Sequence, residues 1–137
     1  MYKADKELMS KVAHAKKKAC KSMTWDLNTV WMCATTNGGV KDIIVRYHGN
    51  MVFNAQVKYG HNNKITHWQL NTCGWLTKST VRKMNACLLG MKIPFSVKAR
   101  KHFLEVKDLE SGKTAAIANG EIAAYFMLKH KLKATTC

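Results

Sequence analysis

The chain changes its apolar period several times. From residue 5 to 23, Leu8, Val12, Ala15, Ala19 and Met23 recur at three- and four-residue steps. That spacing puts them on one face of a helix. Lys11, Lys16, Lys17, Lys18 and Lys21 cover the rest. Asp5 is suited to cap the N-terminus, and Glu7 in the first turn favours the helix dipole. The pattern predicts a basic amphipathic helix over 5–23. Residues 24–36 fit two templates. Trp25, Leu27, Thr29, Trp31 and Cys33 alternate as in a strand, whereas Leu27, Val30, Trp31 and Ala34 also suit a helix. The Thr, Val and Trp content and the following Asn37-Gly38-Gly39 favour a strand over 29–36, with a short helical turn at 24–28 left open.

Strict alternation follows. Residues 42–48 carry Ile43, Val45 and Tyr47 on one face and Ile44, Arg46 and His48 on the other. After Gly49-Asn50, residues 51–59 place Met51, Phe53, Ala55, Val57 and Tyr59 inward. A polar turn, Gly60-His61-Asn62-Asn63, leads to a strand over 64–70, with Trp68 and Leu70 on one face and Ile65, His67 and Gln69 on the other. This is a β-meander.

The period then returns to that of a helix, from Thr77 to Leu89, with Val81, Met84 and Leu88 as the buried stripe and Lys78, Arg82 and Asn85 as an exposed one. Thr77 or Ser79 is placed to cap this helix and Gly90 to stop it. Beyond Pro94, residues 95–99 and 102–107 read as a hairpin turning at Arg100-Lys101, and 114–118 as a short strand. Asn119 is placed to cap a C-terminal helix, 119–132, packed through Ile122, Phe126 and Leu128. No internal repeat or linker-like block interrupts the chain. The expected architecture is α+β, a single domain over 1–137. An antiparallel meander sheet of about five to seven strands packs on a central helix, with N- and C-terminal helices. Within it, 40–107 forms the meander, helix and hairpin core.

Charge changes the picture most. The 137 residues hold 23 Lys+Arg against 8 Asp+Glu, a formal net charge of +15. Such a surplus repels itself, and a polyanion relieves it by releasing counterions. Of the basic residues only Arg46, Arg82 and Arg100 are arginines. Lysine contacts phosphate as a point charge, whereas arginine reads guanine bidentately, so backbone contact with weak sequence preference is expected. No run of about 18 apolar residues is present, so no membrane span is predicted. The N-terminal residues lack the apolar stretch of a secretory signal. Cys20, Cys33, Cys73, Cys87 and Cys137 are widely spaced, with no C-x-x-C, and read as reduced thiols. Cys20, Cys33 and Cys87 fall in apolar patterns and are expected in the core, with Cys137 exposed.

Catalytic motifs are missing: no G-x-S-x-G, P-loop, H-E-x-x-H or G-x-G-x-x-G occurs. The one local acidic group, Glu105, Asp108 and Glu110, reads as a solvated turn. His48, His61 and His67 lie on neighbouring strands without a carboxylate or cysteine spaced to complete a metal site. No catalytic residue, metal or cofactor is assigned.

The most distinctive stretch is Trp68 to Asn85, where a strand, a turn and a helix start combine two tryptophans, several hydroxyls and three cations. Thr72, Thr77, Ser79 and Thr80 ring the helix start, Lys78, Arg82 and Lys83 add charge, and Trp75 offers a stacking face. The alternative is structural: Thr77 or Ser79 merely caps the helix and Trp75 plugs the core. Three basic patches are the candidate nucleic-acid contacts. They are Lys16, Lys17, Lys18 and Lys21; Trp75, Lys78, Arg82 and Lys83; and Lys98, Arg100 and Lys101 at a hairpin tip.

The positions Tyr47, Gly49, Gly74, Trp75, Thr77, Thr80, Arg82 and Asn85 form a pattern over roughly residues 43–107. With its Gly-Trp-x-Thr-x-x-Thr step from strand to helix, it resembles a family of small uncharacterised tailed-bacteriophage proteins. The resemblance implies a phage origin and the host cytoplasm as location. It also implies an accessory role: binding nucleic acid, DNA in preference to RNA, or docking on an acidic surface of a host protein, with a minor virion protein as a third role. A double-stranded-RNA-binding domain shares the helix–meander–helix order over residues 5–90, but the strands after Gly90 have no place in it. Oligomeric state is left open.

Overall fold

A computed structural model describes residues 2–18, 22–58, 63–119, 121–126 and 131–136, the last two segments by backbone pairing. Helix α1 (Lys3–Lys17) leads into a five-strand meander: β1 (Ser22–Leu27), β2 (Val30–Asn37), β3 (Val40–Tyr47), β4 (Asn50–Lys58) and β5 (Lys64–Asn71). Helix α2 (Lys78–Gly90) follows, then β6 (Phe95–Ala99), β7 (Phe103–Asp108) and β8 (Thr114–Ala118) as a three-stranded sheet. The hairpin β9 (Glu121–Phe126) and β10 (Lys131–Thr136) joins the meander through β5, giving a seven-stranded order β1-β2-β3-β4-β5-β9-β10. All pairings are antiparallel. The α+β class and the meander on a central helix agree with the sequence pattern.

Several expectations are corrected. No C-terminal helix occupies 119–132: residues 121–126 and 131–136 are strands, and residues 127–130 lie outside the described set. The otherwise open edge of β5 supplies a backbone partner for residues 122–126, and that tertiary pairing overrides local preference. The first helix is Lys3–Lys17 instead of 5–23. Lys18 is already extended and Met23 belongs to β1, which pairs residue by residue with β2. Residues 24–27, left open to a helical turn, are strand as well. Tyr2 is the N-cap and Asp5 sits inside the first turn, buried.

One face of the sheet carries Val30, Met32, Ala34, Ile43, Val45, Phe53, Ala55, Val57, Trp68 and Leu70, all buried under the two helices. Two bulges alter the simple alternation. One between Val45 and Arg46 lets both Val52 and Phe53 turn inward and leaves Met51 half-buried. The other, opposite Gln56/Val57, puts Ile65 on the core side with Trp68 instead of beside His67. Trp68 meets Phe95 edge-on at 5.0 Å, joining the large sheet to the small one. Asn85, expected on an exposed stripe, both donates to and accepts from the Val97 backbone at 2.9 Å, tying α2 to β6. Cys87 is buried as expected, Cys33 is half-buried, and Cys20 and Cys137 lie outside the described residues.

The contacts between α1 and α2 step in the same direction: Asp5 with Lys83, Val12 with Gly90, Lys16 with Met91. The helices are therefore parallel, and both positive N-terminal ends point to one end of the molecule. Each C-terminus is met by an ammonium. Lys41, wholly buried on β3, donates to the carbonyls of Ala15 at 2.6 Å and Lys16 at 3.3 Å. Lys16 donates to the Met91 carbonyl at 2.9 Å, closing α2.

Candidate nucleic-acid interface

The end where both helices begin is built by two turns and a cap. His48 and Gly49, both at positive φ, make the tight β3–β4 turn. Opposite it, Asn71 accepts from the Cys73 amide at 2.8 Å and Thr72 from the Trp75 amide at 2.8 Å. Asn119, from the end of β8, accepts from the Thr72 hydroxyl at 2.8 Å and donates to the Gly74 carbonyl at 3.0 Å. Thr77 then caps α2, its hydroxyl accepting from the Thr80 amide at 3.2 Å. Between the two turns lies a cleft of about 350 Å³, lined by Tyr47, His48, Asn50, Trp75, Thr77 and Ser79, with Val52, Thr72 and Thr80 completing its walls. Among the described residues no carboxylate lines it. Trp75 stands at its lip, 65% exposed, so it does not plug the core; Trp68 is the fully buried tryptophan. Of the motif positions, Tyr47, Trp75, Thr77 and Thr80 line the cleft and Gly49 shapes its turn.

The predicted basic residues separate into different roles. Lys78 is exposed at the first helical position of α2. Arg82 is exposed as well, its guanidinium 3.4 Å from the Asp5 carboxylate and 4.5 Å above the Tyr2 ring. Lys83 is the correction: it is only 6% exposed and pairs with buried Asp5, so it holds α1 to α2 and offers no surface contact. One carboxylate facing two cations leaves this cluster with a net positive charge.

Lys16, Lys17 and Lys18 lie at the opposite end of the helix pair, ~20 Å away along α1. Burial, then repulsion from Lys92 and Lys17, lowers the Lys16 pKa below the ordinary lysine value. Lys17 and Lys18 are exposed, and Lys21 lies outside the described residues. The third patch keeps Lys98 and Lys101 exposed, while Arg100 pairs with Glu105 at 3.2 Å. Trp75 and Lys78 thus flank the start of α2, with Arg82 one turn further along the helix, while Lys16, Lys17 and Lys18 lie at the other end of the helix pair. Among the described residues no group of His, Cys, Asp and Glu is arranged to hold a metal. Among them, too, no helix is long and apolar enough to cross a membrane.

Sequence reasoning missed Lys41 and the inward role of Asp5. A signal was present for each: Lys41 is in phase with Ile43 and Val45, and Asp5 with Leu8, Val12 and Ala15. No family model, curated protein or solved structure matches the chain.

Proposed function

We propose that this protein is a non-enzymatic phage accessory protein that binds nucleic acid through its basic surface, with weak sequence preference. The observation that supports it is the imbalance of charge at the surface. Asp5 and Glu105 engage Arg82, Lys83 and Arg100, and Asp42 accepts from Asn54 at 2.6 Å. Lys3, Lys6, Lys17, Lys18, Lys78, Lys98 and Lys101 all stand exposed on a chain of net charge +15. A flexible polyanion that touches several of these lysines replaces their repulsion with phosphate contacts. Lysine-dominated contact reads backbone in preference to bases, which accounts for the weak selectivity.

The test is binding of nuclease-treated protein to labelled single- and double-stranded DNA across a salt series. Micromolar or tighter binding at about 0.15 M salt is expected, falling by roughly 0.7–0.9 log units per log of salt for each phosphate neutralised. Replacing Lys17, Lys18 and Lys78 with Ala should flatten that slope. Binding that vanishes by about 0.15 M salt, or that ignores salt, rejects the reading. A pull-down of host proteins with acidic surfaces is then the next experiment.

A further inference from the structure

The cleft beneath Trp75 is a built feature, and general charge does not explain it. A tryptophan left 65% exposed forgoes the burial that its large apolar surface would otherwise gain. Its backbone is nonetheless held firmly: the Trp75 amide donates to Thr72 at 2.8 Å, its carbonyl accepts from Thr77 at 2.9 Å, and Asn119 grips the preceding Gly74. A fixed main chain carrying an exposed ring is a preorganised stacking face. The walls pair that face with Tyr47 and with groups able to donate or accept: His48, Asn50, Thr77 and Ser79. Among the described residues the lining holds no carboxylate, which disfavours a cationic guest. At about 350 Å³ the cleft sits at the small end of ligand sites, suited to one flat polar group and not to a stacked run.

We propose that the cleft takes one unpaired nucleobase of a single-stranded segment, stacked on Trp75, with the flanking phosphates against Lys78 and Arg82. The inference rests on the nucleic-acid reading and adds strandedness to it. A paired base is stacked inside a duplex and cannot enter, so the cleft selects single strands or a base already out of the helix.

The test compares three probes at about 0.15 M salt: a short oligothymidylate, an abasic strand of equal length, and a blunt duplex of equal length. Wild-type protein should bind oligothymidylate about tenfold or more tightly than the abasic strand, with quenching of tryptophan fluorescence. Trp75→Ala should erase that difference, and Trp75→Phe should restore most of it. Because Trp75 is exposed, circular dichroism should show both variants folded. Equal affinity for base-bearing and abasic strands, or an unaffected Trp75→Ala, overturns the cleft assignment while salt-dependent binding keeps the broader reading. Preference for the duplex overturns it likewise. Failure of every strand to bind, with capture of an acidic aromatic-bearing peptide instead, overturns both.

Discussion

Asp5 in the first turn of α1 and Lys83 in α2, 78 residues apart in the chain, form a buried ion pair that joins the two helices. Both side chains are almost wholly buried. Asp5→Ala should therefore destabilise the protein by about 3–5 kcal/mol, since it leaves the Lys83 ammonium buried without a carboxylate. Lys83→Met should cost less, because Asp5 still faces Arg82 at 3.4 Å. The double variant Asp5→Leu/Lys83→Met should recover most of the loss. Urea midpoints of the three variants check this. An Asp5→Ala protein within about 0.5 kcal/mol of wild type would show the pair to be dispensable.

Gly90 lies where α2 crosses α1. A Cβ there would stand 2.4 Å from the Met9 carbonyl oxygen and 2.4 Å from the Val12 Cγ2. Helix propensity favours Gly90→Ala by about 1 kcal/mol, but forcing the helices apart costs about 1–3 kcal/mol. The variant should have a lower melting temperature than wild type. A higher one would mean that the helix pair can shift freely.

His67 on β5 has its pKa lowered, chiefly by burial, against a smaller opposing pull from Asp42. The unfolded chain, with an ordinary histidine value of 6.5, takes up the proton first as pH falls. Its contribution to stability is therefore full above that value, declines as pH drops below it, and levels off once the folded form is protonated. His67→Gln should flatten this part of the profile. Chemical denaturation of both proteins between neutral and mildly acidic pH measures it, and parallel profiles would assign the dependence to other groups.

Cys87 is wholly buried, and burial pushes its thiol far above the ordinary cysteine pKa. Reactive thiolate is thus scarce and inaccessible. Alkylation followed by peptide mapping should label Cys33 and Cys73, both half-buried, well before Cys87, which should react only on unfolding. Labelling of all three at one rate in native buffer would contradict the packing.

Much of the fold is legible in local pattern. Ile43 and Val45 on β3 and Phe53, Ala55 and Val57 on β4 face inward as two-residue alternation predicts, and α2 follows from its three- and four-residue stripe with Thr77 at its cap. On β2, by contrast, the buried positions are Val30, Met32 and Ala34, and the expected core residue Cys33 is half-buried. The C-terminal hairpin was not legible. Residues 121–126 take strand form because β5 offers them an edge, and that partner is 50 or more residues earlier in the chain. The helical reading of Ala19 and Met23 failed at Met23, which pairs with Ala34 on β2. Ile65 shows the same limit, since the bulge at Thr66 inverts the alternation on which its facing was read.

The candidate site divides in the same way. Composition alone establishes the charge surplus and its lysine character, because counting residues requires no fold. Local spacing places Thr77, Lys78 and Trp75 together at the start of α2. Tertiary contact decides which cations remain available: Asp5 draws Lys83 inward, Glu105 occupies Arg100, and Lys41 vanishes beneath the end of α1. It also decides that Trp75 is presented to solvent and Trp68 is not, since only the folded sheet brings Phe95 against one indole and the His48 turn opposite the other. Periodicity reports which face of a single element is apolar. Whether that face, or a charge within it, meets a partner depends on contacts between residues far apart in the chain.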